Sequence, residues 1–301
     1  MPAIVSQPEI ISRGHKLLEA PIFDRTLGLL FTDAERGGVW RLDETGVPQL
    51  LIPHRRGIGG MAIHAAGGVV VSGRTVAFKP IPDGGTVALM QNDPAAGRIG
   101  YNDLVTDRSG RIYVGSMSFV PMLGQIETEK RGSLYLIGLD GAASEVARGI
   151  RLSNGLGFSA DGACLYHADS LAHCVYAYDV ADDGSLSPPR VFVTTAEGMP
   201  DGLAVAEDGS VWVAMFQAGL VVAYNSKGME IHRIWLPTPM VTSLCFGDAD
   251  NMSLYIVSAS GGTDPEVGGC IYRMRLDVAG VERYPAKISL KVDHHASLST
   301  A

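Results

Sequence analysis

Two carboxylates, two amides and one hydroxyl occupy equivalent places in six similar segments of the chain. Each place precedes a short apolar run in the same phase, and the six residues are Glu19, Gly59, Asn102, Asn154, Asp201 and Thr242. Acidic and amide side chains brought together without Lys, Arg or His require a cation, because buried unpaired charge is costly. An all-oxygen set favours a hard ion, with Ca²⁺ first, then Mg²⁺ or Mn²⁺, and Zn²⁺ less suited.

Turn formation is the competing interpretation of these residues. Asn154-Gly155 and Asp201-Gly202 are turn-forming pairs, and either pair alone more often marks a loop than a ligand. Turn chemistry does not require four polar acceptors in one phase before apolar strands. The pattern as a whole therefore favours metal binding.

A repeat follows each of these positions. It consists of a glycine, a short β-branched or aromatic run, a few small or polar residues, and a second run that ends in Asp, Asn or Gly. Copies begin near residues 28, 67, 110, 162, 209 and 252, and in the weakest copy, near 67, residues 86–90 are the candidate for the second run. Six hairpin-rich units of this size predict an all-β, six-bladed β-propeller with four-stranded blades around a central channel.

The repeat also bears on domain organisation. A β-sandwich can use many short strands but does not need so regular a repeat, and the Trp-Asp and Gly-His signatures of WD-repeat propellers are absent. We expect one domain over residues 1–301, with the ring closed by either residues 8–12 or residues 287–291. The polar end, residues 291–301, is expected to be frayed.

Composition narrows the classes of partner. Hydrophobic residues make up 46% of the chain and charged residues 19%, and the net charge is −8. An acidic chain without a Lys/Arg-rich run predicts no nucleic-acid partner. We find neither a secretory signal nor an apolar run near the roughly 20 residues that span a bilayer. The four cysteines show no CxxC spacing, and a cytoplasmic protein without a membrane partner is expected.

Over residues 17–284 the chain resembles the gluconolactonase, senescence-marker-protein and luciferin-regenerating-enzyme family. The order and spacing of several short motifs carry the resemblance: Glu19-Ala20-Pro21, Asn102-Asp103, 115–117, 153–162, 165–170, 200–204 and 239–243. The resemblance implies a six-bladed propeller that holds one divalent ion through Glu19, Asn154 and Asp201. It also implies that Asn102 lies near the metal and the substrate, and that Asp201 is the general base.

The function implied is that of a metal-dependent hydrolase that opens a lactone or a related cyclic or aryl ester. The ion is expected to polarise the carbonyl while Asp201 receives the proton of the attacking water. Two alternatives remain open at this point. One is a phosphotriesterase or arylesterase acting at the same ion, and the other is a non-catalytic propeller that binds a ligand and is stabilised by the metal.

Two departures from the family pattern concern the substrate. Sugar-lactone members carry an arginine two residues before the amide at Asn102, and here that residue is Gly100, with Arg98 the nearest arginine. Sugar-lactone members also carry acidic residues after the motif at 115–117, whereas here residues 118–124 contain none and include Phe119 and Met122. These two residues predict contact with an apolar or aromatic lactone or ester, although packing against the rim is the equally weighted alternative.

Overall fold

The computed structural model of the chain describes residues 2–43, 45–53, 55–82, 84–121, 124, 129–261 and 266–290. The 3₁₀ helices Pro94–Ala96 and Ser170–Ala172 and a set of short strands make up its regular structure. The strands are β1 Glu9–Ser12, β2 Leu18–Asp24, β3 Gly28–Asp33, β4 Val39–Leu42, β5 Pro48–Ile52, β6 Met61–Ile63, β7 Val69–Val71, β8 Val76–Lys79, β9 Val87–Met90, β10 Gly100–Thr106, β11 Ile112–Met117, β12 Gly132–Ile137, β13 Ala143–Ile150, β14 Ser153–Phe158, β15 Cys164–Asp169, β16 Cys174–Asp179, β17 Arg190–Thr194, β18 Met199–Val205, β19 Val211–Phe216, β20 Leu220–Tyr224, β21 Glu230–Trp235, β22 Val241–Gly247, β23 Ser253–Ser258 and β24 Ile271–Arg275.

These strands form six antiparallel four-stranded sheets, which confirms the predicted six-bladed propeller. The first five sheets each contain four consecutive strands, from β2–β5 to β18–β21, and the sixth combines β22, β23 and β24 with β1. The recurring glycine marks the start of the second strand of a blade. In the weakest copy the prediction for residues 86–90 was wrong: Val87–Met90 is the fourth strand of its blade, because Val76–Lys79 follows a short turn and already supplies the third.

The ring is closed by the first strand of the chain. Glu9 and Ile10 of β1 pair antiparallel with Arg273 and Tyr272 of β24. Of the two candidate segments, the N-terminal one therefore closes the propeller. The last blade thus contains both an early and a late piece of the chain, so the ends of the chain hold the ring together.

The C-terminal segment instead crosses one end of the channel, and we call residues 279–289 the strap. Its backbone donates hydrogen bonds to three different blades: Val281 to the carbonyl of Val205, Ala286 to that of Ile63, and Lys287 to that of Gly110, each at 2.8 Å. All three acceptors lie at or beyond the carboxyl ends of innermost strands. The strap therefore covers the end of the channel opposite to the predicted site.

The core lies between blades rather than within one central mass. Six apolar clusters each join neighbouring blades, and the cluster between the fifth and sixth contains Trp212, Ala214, Leu254 and Ile256, all fully buried. Because each sheet is covered on both faces, its central strands read as continuous apolar runs instead of alternating ones. No helix within the described ranges is long and apolar enough to cross a bilayer.

His15 is a buried titratable group at the junction where the ring closes. Its Nε2 lies 3.0 Å from the hydroxyl of Ser12 in β1, and its ring meets Phe31 of the first blade edge to face. Burial, the largest effect, lowers the pKa of His15 to about 4. The neutral imidazole is therefore the form that the folded protein holds.

We expect acid to weaken the fold through His15. The folded pKa near 4 lies below the ordinary value of 6.5, so the unfolded chain binds the proton more readily. Stability is then complete above pH 6.5 and is lost as the pH falls towards 4. This loss amounts to up to about 3 kcal/mol at pH 4. His15→Gln, which keeps a polar partner for Ser12, should lose correspondingly less over this window in denaturant unfolding followed at several pH values.

The comparison with wild type isolates His15 because His167, whose pKa burial also lowers, to about 3, is present in both proteins. Identical pH profiles for the two proteins would remove His15 as a source of acid sensitivity.

Candidate active site

The innermost strands contain β-bulges at the polar residues that the repeat groups together. The pairing register of β2 shifts between Glu19 and Ile22, and comparable shifts occur in β10, β14, β18 and β22 around Asn102, Asn154, Asp201 and Thr242. In β2 the bulge includes Ala20, whose φ of 48° is uncommon for a residue with a side chain. A bulge adds a residue to one strand and re-aims its side chains. The polar side chains can therefore leave the sheet plane and face the channel.

Glycines provide the space that these side chains occupy. A Cβ atom at Gly59 would lie 2.0 Å from Oδ1 of Asn102, so the glycine of the second blade is needed for the amide of the third. A Cβ at Gly155 would lie 2.4 Å from the nitrogen of Leu203, and one at Gly202 would lie 2.1 Å from Oγ of Ser243. Neighbouring inner strands approach closely only because these positions lack side chains.

A chain of hydrogen bonds joins the two amides to the strand that carries Asp201. Nδ2 of Asn102 donates to the carbonyl of Ser153 at 2.9 Å and to Oδ1 of Asn154 at 3.0 Å. Nδ2 of Asn154 lies 3.2 Å from Oγ of Ser170, which in turn donates to the carbonyl of Pro200 at 2.7 Å. Each amide nitrogen therefore has an acceptor, which sets the orientation of both amides.

Two aspartates at the ends of second strands hold the segments that precede the site. The carboxylate of Asp33 accepts from the backbone nitrogens of Lys16 and Leu17, at 2.9 and 3.3 Å. Asp169 accepts in the same way from Arg151 and Leu152, at 2.8 and 2.9 Å. The bonded residues lie three and two positions before Glu19 and Asn154. The position of each Asp at the end of a strand is the sequence signal for a hydrogen-bonding role at a blade corner.

Negative charge accumulates in the channel. Burial raises the pKa of Glu19 well above its usual range, and the charges of Asp201 and Asp103 raise it further. Burial followed by the charge of Asp103 does the same to the pKa of Asp201, while a bond from the backbone of Gly202 opposes it. Asp201 is only 6% exposed. The carboxylates of Glu19, Asp103 and Asp201 therefore lie within electrostatic reach of one another.

No ion pair neutralises these carboxylates within the described part of the chain. Among the described residues, no Lys, Arg or His forms an ion pair with Glu19, Asp103 or Asp201. Oδ1 of Asp201 is buried without any hydrogen-bond partner. A buried acceptor without a partner calls for an ion or a water. The donor set fits a hard cation that takes carboxylate and amide oxygens.

The fit depends on the amide as well as on the acids. Within the described ranges, no three His, Cys, Asp or Glu side chains form a metal-ligating group. An ion at this site would therefore need the Oδ1 of Asn154 beside Glu19 and Asp201. That oxygen accepts one bond from Asn102 and keeps a second lone pair for a ligand.

The remaining positions of the predicted set lie away from the channel or outside the described residues. Thr242 is fully buried and donates to the carbonyl of Leu18 at 2.6 Å, so it joins the sixth blade to the first. Phe119 follows β11 and is 3% exposed, and Met122 lies outside the described residues. The substrate roles of Phe119 and Met122 remain predictions.

His167 lies behind the site rather than in it. It is fully buried, and its Nε2 is 2.8 Å from the hydroxyl of Ser153, the residue before Asn154. A Cβ at Gly115 would lie 1.7 Å from that hydroxyl, so Ser153 is covered. The pair supports the wall of the channel and offers no accessible serine nucleophile.

At position 100, where sugar-lactone members of the family carry an arginine, the neighbouring backbone fills the space. Tyr101 and Gly73 exchange two backbone hydrogen bonds, at 2.7 and 3.1 Å, and a Cβ at Gly100 would lie 2.9 Å from the carbonyl oxygen of Gly73. Arg98 does not replace it, because its guanidinium pairs with Asp93 at 2.9 Å and stacks on Tyr135. An arginine side chain therefore has no room at position 100.

Comparisons with known proteins match the chain to one family. The model of the family described as SMP-30/Gluconolactonase/LRE-like region matches residues 17–260. The pentonolactonase XacC of Haloferax volcanii is 33% identical over 196 residues, which cover 61% of this chain and 64% of that protein. The 6-deoxy-6-sulfogluconolactonase of Pseudomonas putida is 29% identical over 92% of this chain and 95% of its own length.

A solved structure supports the fold in the same way. The calcium-binding protein regucalcin from Agrobacterium tumefaciens superimposes with a TM-score of 0.80 at 19% identity, over 94% of this chain and 97% of that one. Two relatives are named as lactonases, so lactone hydrolysis is supported at the level of the family. The chain belongs to the SMP-30/gluconolactonase/LRE-like family.

Proposed function

We propose that the protein opens a lactone by attack of water at the channel, with a divalent ion held by Glu19, Asn154 and Asp201. The observation that carries this proposal is the buried Oδ1 of Asp201, which has no partner in a channel where negative charge is unbalanced. The printed name of the regucalcin neighbour, a calcium-binding protein, supports Ca²⁺ as that ion. When bound, such an ion supplies a positive charge that polarises a carbonyl.

The residues of the chain supply position and proton transfer. The carboxylate of Asp201 accepts the proton of the attacking water in this proposal, which is the role of a general base. The amide of Asn102 is held by Ser153 and Asn154, so its Oδ1 can orient the water or the substrate. A fixed geometry of this kind lowers the barrier by placing the reacting groups in advance.

The rim favours a lactone with fewer hydroxyl groups than a sugar lactone carries. The closed backbone at Gly100 leaves no place for an arginine that could bind such hydroxyls. The relatives named above act on pentonolactone-type and sulfogluconolactone-type substrates by their names, so the ring chemistry is shared while the substituents differ.

A substrate panel tests the proposal. Aldonolactones, unsubstituted and aryl-substituted lactones, aryl esters and organophosphates are offered to protein saturated with Ca²⁺ and to protein treated with EDTA, and acid release is followed near neutral pH. We expect turnover of lactones, fastest for those with few hydroxyls, and loss of turnover with EDTA that added Ca²⁺ restores. Turnover of organophosphates alone, or of no ester at all, contradicts the proposal.

Asp201→Asn tests the proton acceptor. The amide keeps an oxygen for the ion but cannot accept the proton, so we expect kcat to fall by about a hundredfold or more. Ca²⁺ binding, measured by calorimetry, should persist. Asp182→Asn, at an exposed turn, is the matched control and should keep wild-type kcat. Near-normal kcat in Asp201→Asn with calcium bound would rule out the base role.

Gly59→Ala tests the placement of Asn102. The new Cβ, 2.0 Å from Oδ1 of Asn102, displaces the amide from Ser153 and Asn154. We expect kcat/KM to fall by about tenfold to a hundredfold. Gly85→Ala introduces the same methyl into open space and should have no effect. Equal activity of the two variants would show that Asn102 does not orient the reaction.

A further inference from the structure

The channel contains a third carboxylate that the proposed ion site does not use. Asp103 follows Asn102 in the bulge of β10 and is half-buried, and its Oδ1 accepts from the backbone nitrogen of Leu104 at 2.8 Å. Burial raises the pKa of Asp103 to about 6. Its charge raises the pKa of both Glu19 and Asp201, so it lies within electrostatic reach of the ion site.

The strap sends one cationic side chain towards this carboxylate. Nη1 of Arg283 donates to the carbonyl of Pro21 at 3.5 Å, two residues after Glu19. Arg283 and Asp103 line the same small cavity of about 30 Å³ beneath the site, which is large enough for a water. The charge of Arg283 lowers the pKa of Asp103 against the effect of burial.

Arg283 also lines a second cavity. On its other side it borders a cavity of about 510 Å³ at the strap end of the channel, where Arg25 and Arg108 line the wall. In the described part of the chain, none of these three arginines forms an ion pair with a carboxylate. Of the three, only Arg283 also lines the cavity that contains Asp103.

A divalent ion balances two negative charges, but the channel contains three carboxylates, those of Glu19, Asp103 and Asp201. We propose that Arg283 balances the third charge and thereby sets the affinity of the channel for its cation. It is a positioning residue, since it acts through the field at the site and contacts neither substrate nor ion. This inference rests on the proposed function, because it takes the ion site as given.

Loss of the Arg283 charge is expected to change the affinity for the cation in the opposite direction to a loosened strap. Removing the positive charge of Arg283 leaves the channel more negative, so a cation binds more tightly. A variant that merely loosened the strap would weaken binding instead. Because Arg283 is itself exposed, the added attraction is screened by salt and should shrink as ionic strength rises.

Calorimetric titration of chelator-stripped, full-length protein with CaCl₂ tests the inference. For Arg283→Met we expect a dissociation constant roughly threefold to tenfold lower than that of wild type at low salt, and a smaller difference at high salt. Arg283→Lys, which keeps the charge, should match wild type. Asp103→Asn should bind more weakly, and the double variant should return close to wild type.

Arg25→Met is the matched control, since it removes the same charge from the same end of the channel without lining the Asp103 cavity. Its dissociation constant should stay within about twofold of wild type. If Arg283→Met does not fold, Arg283→Gln takes its place. Unchanged or weaker binding in the folded variant overturns the inference. Absence of calcium binding by wild type overturns the proposed function itself, which is a distinguishable result.

Discussion

The half-buried carboxylate of Glu19 and the buried carboxylate of Asp201, which form no ion pair among the described residues, are the constraint on which the rest of the channel depends. Glu19 and Asp201 come from blades far apart in the chain, and the propeller brings them to one axis. Leaving such charge unpaired is expensive, so the surrounding structure must hold it in place. The bulges, the glycines and the amide relay through Asn102 and Asn154 all serve that requirement.

Two segments outside the repeat close the scaffold that holds these carboxylates. Strand β1 completes the last sheet, and the strap crosses one end of the channel. The proposed site lies at the opposite end, where the innermost strands begin. Rigidity comes from the apolar clusters between blades, which cover both faces of each sheet. The inner strands keep their β-bulges because packing against the neighbouring strands fixes the backbone there.

The residues that carry the family resemblance and those that depart from it lie in separate parts of the molecule. The residues proposed to hold the ion lie on bulged inner strands, which the fold constrains strongly. The rim lies in the connections between strands, where the backbone of Gly73 can close over Gly100 without disturbing a blade. One ring-opening reaction is therefore compatible with lactones that carry different substituents. This separation is why the ring chemistry is easier to infer than the substrate.

By itself the sequence determined the number of blades and the phase of the polar residues. A period in the chain becomes rotational symmetry in the propeller, so Glu19, Asn154 and Asp201 could be grouped from their positions in the repeat alone. Only the tertiary structure decided which segment closed the ring and how Arg283 came near Asp103. Those contacts join residues outside the repeat, and no periodicity records where a connecting segment crosses the ring.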